Sequence, residues 1–113
     1  MRFERELLKG IAPVLVMELL SRKAMYGYEL SAALHRRSGE VFSLGRGTLY
    51  PLLYNLEGKG WVTGQREEAP LGRVRKYYSL TAKGKTELAR RRKELEELQR
   101  GLSAVFQPTF SPA

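Results

Sequence analysis

The spacing of apolar residues in the first forty positions predicts two helices. Leucine, isoleucine and valine recur every three or four residues from about residue 4 to 21, which is typical of a helix with one buried side. Pro13 lies inside this segment, and because proline removes a backbone donor we expect a break or kink near Ala12. After a turn, SRKAM, the segment YGYELSAALHRRSG predicts a second helix over about residues 27–38, ended by Gly39.

A third helix is predicted over residues 46–58, and it has two unlike faces. At about 100° per residue, one face carries four leucines: Leu49, Leu52, Leu53 and Leu56. The opposite face is centred on Gly47, Pro51, Tyr54 and Gly58, with Thr48, Tyr50 and Asn55 at its flanks. The leucine face is a conventional core contact, so the helix turns its glycines and tyrosines outward. The preceding stretch EVFSL is predicted to be a connector, with a short strand as a second possibility.

The rest of the chain predicts a β-hairpin and one long helix. WVTGQRE and VRKYYSL are rich in β-branched and aromatic residues, and the turn EAPLGR lies between them. Thr81 is a plausible N-cap for a last helix over about residues 82–106. Its apolar residues follow a seven-residue repeat: Leu88, Leu95, Leu98, Leu102 and Val105.

This order of elements predicts a mainly α fold with a small β-hairpin. Three helices followed by a two-stranded ribbon is the layout of a winged helix-turn-helix, in which the third helix reads DNA and the ribbon is the wing. We expect a winged-helix DNA-binding domain over residues 1–80, a C-terminal dimerisation helix over residues 81–107 and a flexible tail over residues 108–113.

Composition and charge favour a polyanionic partner and argue against an enzyme. The 113 residues carry a formal net charge of +8, which suits nucleic acid better than an anionic membrane. There is no cysteine and one histidine, with no P-loop and no paired carboxylate motif, so we expect no catalysis, metal or cofactor. The charged start lacks a signal-peptide core, and the apolar run IAPVLVMELL is too short to span a bilayer. We therefore expect a cytoplasmic protein without a membrane partner.

The third helix and the wing carry the candidate contacts to double-stranded DNA. Gly47 permits close approach of the backbone, and Pro51 bends the helix slightly. Thr48 and Asn55 can bind base edges, Arg46 can reach a phosphate or a guanine, and Tyr50 and Tyr54 offer hydroxyls. The wing cations Arg66, Arg73, Arg75 and Lys76 can meet phosphates, whereas Tyr77 is more suited to packing. The plain alternatives are an amphipathic helix with exposed tyrosines and a solvated, charged hairpin.

The apolar repeat of the last helix predicts a homodimer. A small winged domain cannot bury the whole repeat, so a two-fold partner would cover it, together with the first helix. Two copies would hold two third helices about 34 Å apart and would favour a palindromic site. The alternative is that the repeat packs within one chain against the first helix.

Three separated motifs resemble the PadR family of bacterial transcriptional regulators. They are MYGYEL, GTLYPLLYNLEGKGWV and GRVRKYYSLTAKGK, and the resemblance covers roughly residues 7–88. It implies a homodimeric winged-helix repressor, usually of detoxification or efflux genes, in some members released by a small molecule. Thr48 and Tyr50 match the family's reading-helix motif, and Arg73, Arg75, Lys76 and Tyr77 match its wing motif. Tyr28 matches a motif of the second helix, where the resemblance implies a phosphate contact.

The chain also departs from the family pattern. The third helix begins with Gly45-Arg46 where the family often has Ser-Pro, which weakens the cap and adds a cation. Some compact members bind planar drugs between tryptophans at the dimer interface, and this chain has no tryptophan in its last helix. Phe106 or Phe110 would have to line a site for an aromatic small-molecule effector. The alternative function is a winged-helix protein–protein interaction module that does not bind DNA.

Overall fold

The computed structural model describes residues 5–68 and 70–107, which form four helices and a three-stranded antiparallel sheet. Their bounds are α1 Arg5–Leu20, β1 Met25–Tyr26, α2 Gly27–Arg37, α3 Arg46–Gly58, β2 Val62–Glu68, β3 Val74–Leu80 and α4 Ala82–Phe106. The sheet order is β1-β3-β2. The predicted winged helix-turn-helix is therefore confirmed. The predicted tail, residues 108–113 with Phe110, lies outside the described residues.

Of the break or kink expected near Ala12, the break is wrong, because helix α1 is continuous. Pro13 sits inside a continuous helix from Arg5 to Leu20. Proline leaves the carbonyl four residues earlier, that of Lys9, without its helical partner. Lys9 is exposed, so water can satisfy this carbonyl and the helix continues.

Helix α1 is the central element of an aliphatic core. Met17 of α1 and Leu53 of α3 are completely buried, and none of the buried side chains among the described residues is polar or charged. α1 contacts α2, β3 and α4, which explains why its buried residues cover more than one helical face. Removing a buried leucine such as Leu53 would cost about 2–5 kcal/mol, so the leucine face of α3 is a principal anchor of the fold.

The third strand lies before α2 and not in the connector before α3. Met25 and Tyr26 form β1 and pair with Tyr78 and Tyr77 of β3. The alternative of a short strand in EVFSL is therefore wrong. Side chains of α2 and of its C-cap residue satisfy the backbone of that connector instead. Ser31 donates to the Leu44 carbonyl at 2.8 Å. The N–H of Phe42 also donates to the Ser38 hydroxyl at 2.9 Å.

The wing is a regular antiparallel hairpin of seven-residue strands. Val62 pairs with Leu80 at its root, and Glu68 pairs with Val74 near its tip. Tyr78 faces the core and is buried, whereas the tip residue Leu71 is almost fully exposed. Leu71 and Gly72 both have positive φ, at 70° and 73°, which closes the tight turn between the strands.

The start of α4 is bonded to the turn between α3 and β2. The Thr81 N–H donates to the Trp61 carbonyl at 3.0 Å, and the Gly84 N–H donates to the Thr81 hydroxyl at 2.9 Å. The predicted N-cap is therefore confirmed. A Cβ on Gly84 would overlap the Trp61 carbonyl oxygen and lie 2.7 Å from Leu80 Cδ1. Only glycine lets α4 approach the turn this closely.

Cations cover the Trp61 ring beside this contact. Lys59 Nζ and the Arg91 guanidinium each lie 4.8 Å from the ring centroid. Arg91 also donates to Glu87 Oε2 at 2.7 Å, and the neighbouring guanidinium of Arg90 and that of Arg91 together lower the pKa of Glu87 to about 2. The orientation of α4 relative to the end of α3 is thus fixed by packing, hydrogen bonds and cation–π contacts.

Two glycines of α4 provide a matched test of this contact. Gly84→Ala is expected to lower the free energy of unfolding by about 1–3 kcal/mol, because the methyl group overlaps backbone atoms that cannot move aside. Gly101→Ala, with no atom within 4 Å of the added Cβ, is expected to raise it by about 0.5–1 kcal/mol. Urea denaturation measures both, and equal effects of the two substitutions would contradict the close approach at Gly84.

Candidate nucleic-acid interface

Helix α3 has one face in the core and the opposite face open. Leu49, Leu53 and Leu56 are buried, as the sequence predicts. A Cβ added to Gly47 or Gly58 would meet no atom within 4 Å, and Tyr54 is 77% exposed. The glycine-and-tyrosine side of α3 is therefore not covered by the rest of the described chain.

The exposed residues of α3 divide into two edges. Thr48 and Asn55, seven residues apart, lie on one edge, and both are exposed. Tyr50, Tyr54 and Glu57 follow the i, i+4, i+7 pattern on the other edge. That second edge is next to the wing, because Lys76 of β3 interacts electrostatically with both Tyr54 and Glu57. Thr48 and Asn55 therefore lie on the edge that is farther from the wing.

Arg46 lies at the first position of α3 and is exposed. Its preceding residue, Gly45, forms no side-chain cap, although the Gly45 carbonyl accepts hydrogen bonds from Thr48 N–H at 3.1 Å and Leu49 N–H at 2.9 Å. The remaining first-turn N–H groups and the Arg46 guanidinium give this end of α3 a positive potential, which suits a phosphate.

Part of the Tyr50 side chain packs within its own chain. Its side chain is 42% exposed, but its hydroxyl end lies against Gly27 at the start of α2. A Cβ on Gly27 would overlap the Tyr50 ring end. The glycine of the motif MYGYEL and the first tyrosine of GTLYP therefore form one contact, which sets the distance between α2 and α3.

Three tyrosines and one arginine form a cluster where β1 meets the wing. The Arg75 guanidinium lies 4.5 Å from the centroid of the Tyr26 ring. The rings of Tyr77 and Tyr26 pack in a T-shaped arrangement with centroids 5.4 Å apart, and Tyr28 is stacked with Tyr26 at 6.5 Å. Tyr28 remains largely exposed at the outside of the cluster. The cluster restricts Arg75 to a half-buried position at the side of the wing.

The predicted wing cations differ in their surroundings. Arg73 is exposed beside the tip, and Arg75 is held by Tyr26. Lys76 instead donates to Glu57 Oε1 of α3 at 3.2 Å. Glu67 pairs across the hairpin with Arg75, and Glu68 lies near the tip, so the wing carries charges of both signs.

The predicted dimer residues of α4 divide into two groups. Leu88 is buried in the core of its own chain, and Leu95 is half-buried against the same core. An ion pair between Arg92 and Glu18, with Nη1 3.4 Å from Oε1, also ties this part of α4 to α1. Leu98, Leu102 and Val105 are exposed, at 52%, 48% and 79%, and Phe106 beside them is also exposed. The apolar repeat is therefore partly intramolecular, and its last three members are uncovered in the single chain.

Sequence reasoning missed four residues that organise this interface: Tyr26, Gly27, Glu57 and Gly64. Gly64 gave a usable signal, because an isolated glycine in a strand pattern often marks a close approach. No sequence pattern marked Gly27, apart from its place in the motif MYGYEL. Tyr26 and Glu57 act through residues far away in the sequence, Arg75 and Lys76, so no local pattern could identify them.

The described residues supply neither a metal site nor a membrane span. Across residues 5–68 and 70–107, no three His, Asp or Glu side chains are grouped as a metal ion would require. None of the helices in that part of the chain combines the length and the apolar composition needed to cross a membrane.

A winged helix whose third helix leaves its polar and glycine-rich face open is typical of DNA-binding proteins. The model of the transcriptional regulator PadR-like family matches residues 16–90 of this chain. The chain belongs to this family. It is therefore a DNA-binding transcriptional regulator and not an enzyme.

The chain is also similar to a bacterial protein and to solved structures of PadR-like regulators. An uncharacterized protein of Lysinibacillus sphaericus is 30% identical over 94 residues, which cover 83% of this chain and 86% of that protein. A PadR-like transcriptional regulator from Bacillus cereus superposes with a TM-score of 0.79 at 27% identity, covering 91% of this chain and 98% of that one. A PadR family regulator from Clostridium difficile gives 0.74 at 29% identity, covering 88% and 100%.

Proposed function

We propose that this protein is a homodimeric repressor that binds a palindromic operator and blocks a promoter in the cytoplasm. The observation that carries the proposal is the open face of α3, which can enter the major groove while its leucines stay in the core. The net charge of +8 supports a DNA partner over a protein partner. The interaction-module alternative has no comparable observation in its favour.

Each exposed residue has a distinct role in this proposal. Thr48 and Asn55 contact base edges, since hydroxyl and amide groups can form specific hydrogen bonds in the major groove. Tyr54 and the outward part of Tyr50 contact the flanking backbone or bases. Arg46 binds a phosphate or a guanine at the start of α3. These side chains are exposed, so DNA can reach them without rearrangement of the fold.

The wing and the start of α2 supply contacts to the DNA backbone. Arg73 and Arg75 meet phosphates, and Tyr28 places its hydroxyl near another phosphate. Tyr77 acts mainly through the Tyr26 cluster, which holds Arg75 in place. Contacts of this kind fix the register of the protein on the duplex but carry no sequence information.

The proposed dimer pairs the distal half of α4 with its copy. Leu98, Leu102, Val105 and Phe106 are apolar and exposed in the single chain, which supports a covered surface in the functional protein. Leu88 is buried in the core of its own chain. Leu95 is half-buried and lies between that core and the exposed distal turns of α4. The rigid contact between Trp61 and the start of α4 would then set the separation of the two α3 helices.

The predictions about the regulated genes and the effector rest on the resemblance to the PadR family alone. Repression of detoxification or efflux genes, and release by an aromatic small molecule, stay predictions. Phe106 is the described aromatic residue best placed for such an effector, at the exposed end of α4.

Selection of genomic DNA fragments by the purified protein tests the function. Wild-type protein is expected to enrich fragments that share a palindrome. Thr48→Ala and Asn55→Ala are expected to change the preferred bases, because each removes a hydrogen bond worth about 1–3 kcal/mol of discrimination. Ser103→Ala, on exposed α4, is the control and should return the wild-type palindrome. Failure of the wild-type protein to enrich any fragment would favour the interaction module.

The salt dependence of binding tests the wing. Arg75→Ala is expected to weaken binding to all duplexes and to reduce the slope of log K against log salt by about 0.9 for each phosphate that the variant leaves unneutralised. Arg37→Ala removes the same charge from an exposed position at the end of α2 and is expected to keep the slope. An unchanged slope for Arg75→Ala would show that this residue does not bind a phosphate.

The association state tests the role of α4. Leu102→Glu is expected to raise the dimer dissociation constant at least about tenfold, because it puts a charge where a leucine would otherwise be buried. Ala104→Glu adds the same charge about 200° away around the helix and is the control. Sedimentation equilibrium measures both variants. A wild-type protein that sediments as a monomer, or equal effects of the two changes, would contradict the proposed interface.

A further inference from the structure

Lys76 crosses the wing to reach helix α3. Its Nζ donates to Glu57 Oε1 at 3.2 Å and lies 5.3 Å from the centroid of the Tyr78 ring. Gly64 of β2, paired with Tyr78, leaves the space that the Lys76 side chain occupies. A Cβ on Gly64 would overlap that side chain and lie 3.2 Å from Glu57 Oε2. One residue from each of β2, β3 and α3 therefore forms this contact.

The ion pair is partly shielded from water. The Lys76 side chain is 36% exposed and the Glu57 side chain 29%. The hydrogen bond to Glu57 is the main reason why the pKa of Lys76 lies above its ordinary value. The ammonium group is therefore charged at neutral pH and already neutralised by a carboxylate. A phosphate would have to compete with Glu57 for this ammonium group. Lys76 is therefore less available to DNA than the exposed Arg73.

The ion pair lies far enough from the root of the hairpin to limit how the wing moves. Lys76 lies four residues along β3 from Leu80, so the ion pair joins the hairpin to α3 about 13 Å from the root. Pairing with β1 already attaches β3 through Tyr77 and Tyr78, so one side of the hairpin is held. The ion pair adds an attachment on the α3 side, which restricts bending of the hairpin in that direction. Glu57 lies on the last turn of α3, so the ion pair limits the movement of the hairpin relative to that helix.

We propose that Lys76 and Glu57, meeting over Gly64, are positioning residues that hold the wing at the angle at which Arg73 and Arg75 reach phosphates while α3 occupies the groove. The inference rests on the proposed function, because it assumes that α3 and the wing bind one duplex together. It changes the role of Lys76 from a phosphate contact to an internal one. It also gives Glu57 and Gly64 a role in DNA binding although neither needs to touch DNA.

Charge reversal of Glu57 separates this role from simple electrostatics. Glu57→Lys adds positive charge beside the proposed interface, and a purely electrostatic effect would tighten binding. If the ion pair positions the wing, the same substitution places two like charges together and frees the hairpin. We then expect about tenfold weaker binding to a fragment selected by the wild-type protein, within the range of coupling between contacting residues. Binding to poly(dI-dC) should not weaken.

The double variant and a matched control complete the test. Lys76→Glu alone is expected to weaken binding more than Glu57→Lys, because it breaks the same ion pair and also lowers the net charge. The pair Glu57→Lys with Lys76→Glu should recover most of the wild-type affinity at unchanged net charge. Glu68→Lys, an exposed wing position with the same charge change, is expected to tighten binding. Gly64→Ala should weaken binding several-fold, because its methyl group displaces the flexible Lys76 side chain.

The outcomes distinguish this inference from the function on which it rests. Thermal denaturation of every variant identifies a loss of folding, and recovery in the double variant cannot come from a misfolded protein. Tighter binding by Glu57→Lys, or additive effects in the double variant, would overturn the positioning role while leaving DNA binding intact. A wild-type protein that selects no fragment would instead contradict the proposed function itself.

Discussion

The structure depends on the burial of one row of leucines along α3. Leu49, Leu53 and Leu56 are held in a largely aliphatic core around α1, so α3 cannot rotate without exposing them. Fixing this face also fixes the opposite one, since a helix is a rigid rod at this length. Gly47 and Tyr54 are therefore presented to solvent as a direct consequence of apolar packing. The leucine contact that stabilises the fold thus also leaves the opposite face of α3 open to approach DNA.

Close contacts at glycines connect α3 to the rest of the molecule. Gly27 admits the end of Tyr50, which sets α2 against α3. Gly84 admits the Trp61 carbonyl, which sets α4 against the end of α3. Gly64 admits the Lys76 side chain on its way to Glu57. In each case a missing side chain lets another element come closer than a Cβ would allow.

Helix α4 serves two purposes along its length. Its first turns, with Leu88, complete the core of the winged domain, while its distal turns expose Leu98 and Leu102. A single continuous helix thus joins the DNA-binding domain to the proposed dimer contact without a flexible linker. In the proposed dimer, a change in how the two copies pair would move α3 as well, because the start of α4 is bonded to the turn that ends α3.

The sequence by itself determined the elements and their order, because hydrophobic period, caps and turn residues act over a few positions. The predicted bounds of α3, β3 and α4 match the structure, and the leucine face of α3 was readable from spacing alone. Only the tertiary structure decided what joins distant segments: the pairing of β1 with β3, the cluster around Tyr26, and the contact of Lys76 with Glu57. Local patterns cannot specify such contacts, because they arise when the shared core has already brought the segments together.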